Sequence, residues 1–135
     1  MKLLRILVVD DHDVVRRGIC SLLKSKPDCQ ICGEAANGFD AVAMAERLKP
    51  DVVVLDISLP DMDGLKVTRH IRQSVPAARV LILSMHDSEQ MVEEAYQLGA
   101  RGYITKSEAA SELSAALDAF RRNELYFPPR MTPPS

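Results

Sequence analysis

Apolar clusters and helical stretches alternate along the whole chain. Leu3 to Val9 is an apolar run that ends abruptly in Asp10 and Asp11, the pattern of a strand buried in a sheet. Asp13 is placed to cap a helix reaching about Lys24, with Val15, Ile19, Leu22 and Leu23 recurring along one face. Lys26-Pro27-Asp28 closes it. Cys29 to Ala35 predicts a second strand, Asn37-Gly38 a turn, and Phe39 to Leu48 a helix with Val42, Met44 and Ala45 available for packing. Pro50 then forbids its continuation.

Val52 to Leu55 is a β-favouring run that delivers Asp56 at its C-terminal end, where a loop over Ile57 to Asp63 begins. Gly64 to Gln73 predicts a third helix, Arg79 to Leu83 a fourth strand ending at Ser84, and Ser88 to Leu98 a helix closed by Gly99. Gly102 to Thr105 is a short fifth strand leading to Lys106. Ser111 to Arg121 completes the set as a helix with Leu113, Leu117 and Phe120 on one side. Five strand-then-helix units joined by short links require right-handed crossovers. The predicted architecture is a doubly wound α/β domain, a five-stranded parallel sheet with helices on both faces.

Composition agrees with one such domain. The 135 residues are 47% hydrophobic and 27% charged, while aromatics supply only 4% and tryptophan is absent. Aliphatic side chains must then fill the core, as in parallel sheets covered on both faces. The net charge of -2 offers no global attraction to nucleic acid or anionic membranes. No apolar run approaches the roughly 20 residues of a bilayer span, and the start lacks a signal-peptide pattern, so a cytoplasmic location is expected. Cys20, Cys29 and Cys32 are an odd number, against a disulfide framework. Cys29 and Cys32 form a CxxC spacing, but on one strand a three-residue offset sends them to opposite faces. They are expected to act as small hydrophobes. His12, His70 and His86 show no metal-ligand spacing.

In doubly wound sheets ligands bind outside the carboxyl ends of the strands, where strand order reverses. That rule selects Asp10, Asp11, Asp56, Ser84 and Lys106. Each has a plain alternative: the paired aspartates can cap the first helix, Asp56 can be a solvated strand end, and Lys106 a surface lysine. Their joint placement on successive strand mouths favours a site. Carboxylates gathered at one crevice repel one another unless a cation is shared. Magnesium fits, since it takes one or two carboxylates, several waters and phosphate oxygens. Asp11 and Asp56 are the expected direct ligands, Asp10 acts through water, and the Ser58 carbonyl completes the protein set. Three carboxylates, one divalent ion and the Lys106 ammonium balance in formal charge. Asp56 is then the acceptor for a phosphoryl group, whose new charge meets the metal, Lys106 and the Ser84 hydroxyl.

Four separated motifs carry a family resemblance: VVDDHD at Val8 to Asp13, VVVLDISLPDMDG at Val52 to Gly64, LILSMHD at Leu81 to Asp87 and GYITKS at Gly102 to Ser107. The chain resembles a response-regulator receiver domain, and within that family the NarL/FixJ-type branch of LuxR-type regulators. The resemblance implies a flavodoxin-like strand order of 2-1-3-4-5. It also implies phosphoryl transfer from a sensor histidine kinase to Asp56, and a phosphorylation-dependent homodimer. DNA would be reached only through a C-terminal helix-turn-helix domain outside this chain. Tyr103 matches the switch aromatic and would turn inward as Ser84 moves. His86 and Ser58 fall where the family tunes loss of the phosphoryl group.

Two positions depart from the family. Ser84 replaces the commoner threonine and keeps its hydroxyl. Ser107 stands where proline is frequent, often after a cis bond; a cis Lys106-Ser107 bond would cost roughly 2.5 to 4 kcal/mol, so strain or a rebuilt loop is expected. The receiver is expected over 1–122, and the proline-bearing 123–135 as a linker. Two rival readings fit the residues less well. A haloacid dehalogenase-type phosphatase would need DxDx[TV] after the first strand, where this chain has Asp10-Asp11-His12-Asp13-Val14. A receiver-like scaffold that is never phosphorylated would lack the acceptor, a metal-binding acid or the lysine, and all are present.

Overall fold

A computed structural model describes residues 3–128. Pro129, Pro133 and Pro134, on which part of the linker expectation rests, lie outside the described residues. The elements run β1 (Leu4–Val9), α1 (Asp13–Lys24), β2 (Cys29–Ala35), α2 (Gly38–Leu48), β3 (Val52–Asp56), α3 (Gly64–Ser74), β4 (Arg79–Ser84), α4 (Glu89–Gln97), β5 (Gly102–Thr105) and α5 (Ala109–Arg121). All neighbouring strands are parallel, in the order β2-β1-β3-β4-β5.

Period-two alternation divides the strand residues between two cores. Leu7, Val9, Val53, Leu55, Val80 and Ile82 face α2, α3 and α4, where Ala41, Ala45, Val67, Ile71, Val92 and Ala95 meet them. Ile6, Val8, Val52, Val54, Leu81 and Leu83 face α1 and α5, covered by Ile19, Leu23, Leu113, Leu117 and Phe120. Each such aliphatic side chain contributes roughly 1.5 to 3 kcal/mol on full burial. Every residue of β3 is buried, as befits the middle of the sheet. Cys29 packs into the second cluster and Cys32 into the first, and all three cysteines are free. Register slips between Ile6 and Leu7, which pair with Ile31 and Gly33, leaving Cys32 as the extra residue of a bulge.

The structure corrects two local expectations, the cap of α1 and the start of α5, and adds detail to the Lys106 loop and the tail. Asp13 does not cap α1: His12 occupies that position without a side-chain cap bond, and Asp13 is the first helical residue. The turn is instead closed by Asp10, whose carboxylate accepts the His12 N–H at 2.8 Å. Between Lys106 and Ala109 the described chain has no cis peptide bond; a short 3-10 turn over Lys106–Glu108 feeds directly into α5, which therefore begins two residues early. Finally, the first residues assigned to the linker are packed on the domain. Tyr126 pairs with Gly102 at the sheet edge, and Phe127 packs against the first cluster.

Candidate functional site

Because β1 and β3 are adjacent with Val9 opposite Leu55, the next residues, Asp10 and Asp56, emerge side by side at the carboxyl end of the sheet. Both are buried, at 0% and 1% exposure. Lys106 follows β5 and reaches back over β4, placing its ammonium 3.1 Å from Oδ2 of Asp10 and 3.1 Å from Oδ2 of Asp56. Asp56 Oδ1 accepts the Ser58 N–H at 3.0 Å. Gly64 shapes the loop behind it, since a Cβ there would lie 2.5 Å from the Ile57 Cα and 2.9 Å from the Asp56 carbonyl oxygen.

Carboxylate oxygens of Asp10, Asp11 and Asp56 and a ring nitrogen of His12 all lie within 4.8 Å of one another. The His12 ring joins this cluster, with Nδ1 3.2 Å from Asp10 Oδ1 and 3.3 Å from Asp11 Oδ1, a contact the histidine spacing did not suggest. Its position directly after Asp11 was the available signal. Asp10 Oδ2 and Asp56 Oδ2 share the one Lys106 ammonium, and Asp11 Oδ1 faces only the His12 ring. Three clustered carboxylates with one ammonium between two of them are left short of positive charge, which is costly where they are buried. Converging on one point, they form the donor set that a hard divalent cation prefers, so the residues fit magnesium.

The charges interact unequally. Burial works against the Lys106 ammonium, but the flanking Asp10 and Asp56 outweigh it and raise its pKa. Asp56 is also raised, first by burial and then by the Asp10 charge, against the lowering pull of the Ser58 N–H and Lys106. One ammonium serves two buried carboxylates, so the lysine gains from both while Asp56 is left short of compensation.

Ser84 ends β4 and is buried beside this cluster of strand ends. Its Oγ accepts the His86 N–H at 3.1 Å. Tyr103 is turned inward, 1% exposed, and donates its phenol proton to the His86 carbonyl at 2.6 Å. Burial raises the Tyr103 pKa, and a hydrogen bond with the Ser84 hydroxyl opposes that. Ser84, His86 and Tyr103 therefore form one connected group. Ser58 also pairs with Asp63 in an isolated antiparallel bridge.

Two further residues escaped the sequence reading. Arg16 donates to the Asp10 backbone carbonyl at 2.6 Å and to the Asp13 and Glu34 carboxylates, bracing the end of β1. Asp61 accepts the N–H groups of Gly38 and Phe39 at 2.7 and 3.0 Å, tying the acceptor loop to the start of α2. Those bonds hold its carboxyl below the usual range.

Comparison with known proteins places this geometry in context. Residues 6–118 match the response regulator receiver domain family. The response regulator protein VraR of Staphylococcus aureus is 36% identical over 128 residues, covering 95% of this chain and 61% of VraR; the chain thus spans under two thirds of such curated relatives. A LuxR-family two-component response regulator from Aurantimonas superposes with a TM-score of 0.90 at 38% identity, covering 96% of this chain and 93% of that one. The receiver domain of the putative response regulator NarL from Mycobacterium tuberculosis gives 0.83 at 34% identity, covering 90% and 98%. The chain belongs to the response-regulator receiver family of two-component systems, in its NarL/FixJ branch.

Proposed function

We propose that this domain accepts a phosphoryl group on Asp56 and converts it into a change of surface. The observation that carries this reading is the convergence of three aspartate carboxylates on one point with a single ammonium, that of Lys106, 3.1 Å from two of them. Asp11 and Asp56 would hold magnesium directly, with Asp10 acting through water and the Ser58 carbonyl completing the protein ligands. Bound there, the ion supplies electrostatic stabilisation of the phosphoryl oxygens.

The donor is a phosphohistidine of a sensor kinase or a small acyl phosphate. A carboxylate oxygen of Asp56 attacks phosphorus, the bond to the donor breaks, and its electron pair leaves with the imidazole nitrogen or the acid. Asp56 suits the role because Ser58 and Lys106 orient its two oxygens separately. The Lys106 ammonium, already midway between Asp10 and Asp56, follows the charge onto the phosphoryl group. Ser84 turns its hydroxyl from Tyr103 towards a phosphoryl oxygen, and the inward position of Tyr103 fills the space this vacates.

The output follows from the branch. A phosphorylation-dependent homodimer forms, and a C-terminal helix-turn-helix domain outside this chain binds DNA and regulates transcription. The site of action is the cytoplasm; no described helix is long and apolar enough to cross a membrane. The domain is a signalling module whose only chemistry is its own phosphorylation and dephosphorylation, with Ser58 and His86 setting the lifetime.

Intact-mass measurement after incubation with a small acyl phosphate and magnesium tests this. Wild type should gain one phosphoryl mass and Asp56→Asn none. A gain in both proteins removes Asp56 from its role.

A further inference from the structure

An edge strand normally presents unpaired N–H and C=O groups, and β5 is the last strand on its side of the sheet. The start of its outer edge is nevertheless covered. After α5 the chain reverses at Asn123, which takes a left-handed φ of 59°. Tyr126 then runs parallel to Gly102, donating its N–H to the Arg101 carbonyl at 3.0 Å and accepting the Tyr103 N–H at 2.9 Å. Its phenol bonds the Glu112 carboxylate of α5. Phe127 stands edge-on to Tyr96 of α4, with ring centroids 5.8 Å apart and planes at 86°. Tyr126 packs against one hydrophobic cluster and Phe127 against the other, so the segment straddles both layers. Gly102 permits the approach, because a Cβ there would sit 3.1 Å from the Tyr126 carbonyl oxygen.

Tyr103 is common to this edge and to the acceptor site. Its phenol engages the His86 carbonyl, and the His86 N–H engages the Ser84 hydroxyl, while the Tyr103 backbone N–H engages Tyr126. We infer that the outer edge of β5 is a docking surface for the chain's own segment Leu125–Phe127, and that phosphorylation of Asp56 tightens this docking through Tyr103. The coupling rests on the proposed function; the docking does not. A docked segment fixes the Tyr103 backbone and so favours the inward ring, and by thermodynamic reciprocity whatever favours the inward ring favours the docked segment. The direction in which the chain leaves the domain is thereby tied to the state of Asp56.

Amide hydrogen exchange on the full chain, resolved by residue, tests both halves. The Tyr103 and Tyr126 amides should be protected in unmodified protein. Protection should rise severalfold after treatment with acyl phosphate and magnesium, with the same sample weighed to confirm the added mass. Phe127→Ala should lower protection at Tyr126 by about three- to tenfold, the range carried by one aromatic pair, while leaving protection in β3 unchanged. A Tyr126 amide exchanging at the unstructured rate in wild type overturns the docking. Unchanged protection in a fully phosphorylated sample overturns the coupling. Failure to gain mass refutes the Asp56 reading and the coupling with it, whereas the docking still stands or falls on the unmodified wild type against Phe127→Ala.

Discussion

Replacing Lys106 by methionine keeps most of the side chain's stem and removes only the charge. The ammonium lies 3.1 Å from Oδ2 of both Asp10 and Asp56. At an effective dielectric near 20 each contact carries roughly 5 kcal/mol of gross attraction, most of it offset by the desolvation of three charges. What remains after breaking a buried pair is typically about 3 to 5 kcal/mol, because the partner charges stay buried without compensation. With a urea slope of about 1 to 3 kcal/mol per molar, Lys106→Met should lower the unfolding midpoint by about 2 M at neutral pH. The loss should shrink on acidification. Asp56 is already raised by burial, so between its ordinary and its raised value the folded state holds more protons than the unfolded state, and stability falls as pH rises. Losing the ammonium pushes that value further up and deepens the fall, whereas below the ordinary carboxylate range the acid is neutral in both states and the penalty vanishes. Magnesium should restore part of the midpoint by replacing the missing positive charge. A variant as stable as wild type at neutral pH, or a deficit unchanged by acid, would refute the view that Lys106 compensates buried charge.

Asp56→Asn should be more stable than wild type to urea at neutral pH, since it deletes a carboxylate whose ionisation burial opposes; a lower midpoint would contradict this. Gly64→Ala should cost about 1 to 3 kcal/mol by overpacking, since the added methyl meets the Ile57 and Asp56 backbone rather than a yielding side chain. Thermal unfolding measures it, and phosphoryl acceptance should fall as the loop shifts. Lys106→Ala should still gain phosphoryl mass yet fail to produce the phosphorylation-dependent dimer, checked by sedimentation; normal dimerisation would separate Lys106 from the switch.

Much of this protein is legible along the chain because backbone geometry imposes short periods on it. Val52 to Leu55 reads as a buried strand from its β-favouring side chains, and the breaks at Pro50 and Gly99 isolate their elements without reference to distant residues. Strand ends follow, and with them Asp10, Asp56, Ser84 and Lys106, since residues that close successive parallel strands must share one edge of the sheet. The contacts that depend on where separate loops and rotamers come to rest had no such signal. His12 turns its ring between Asp10 and Asp11, Arg16 reaches a backbone carbonyl, and Asp61 crosses to the start of α2 more than twenty residues away. The tail shows the same division. Its prolines mark a linker, and within it Tyr126 and Phe127 carry enough apolar surface to be drawn onto an edge whose hydrogen-bonding groups lacked partners. Local pattern therefore decided the elements and the chemistry at their ends, whereas closure of the chain on itself decided which polar groups met and what covered β5, because those energies exist only between segments the fold has brought together.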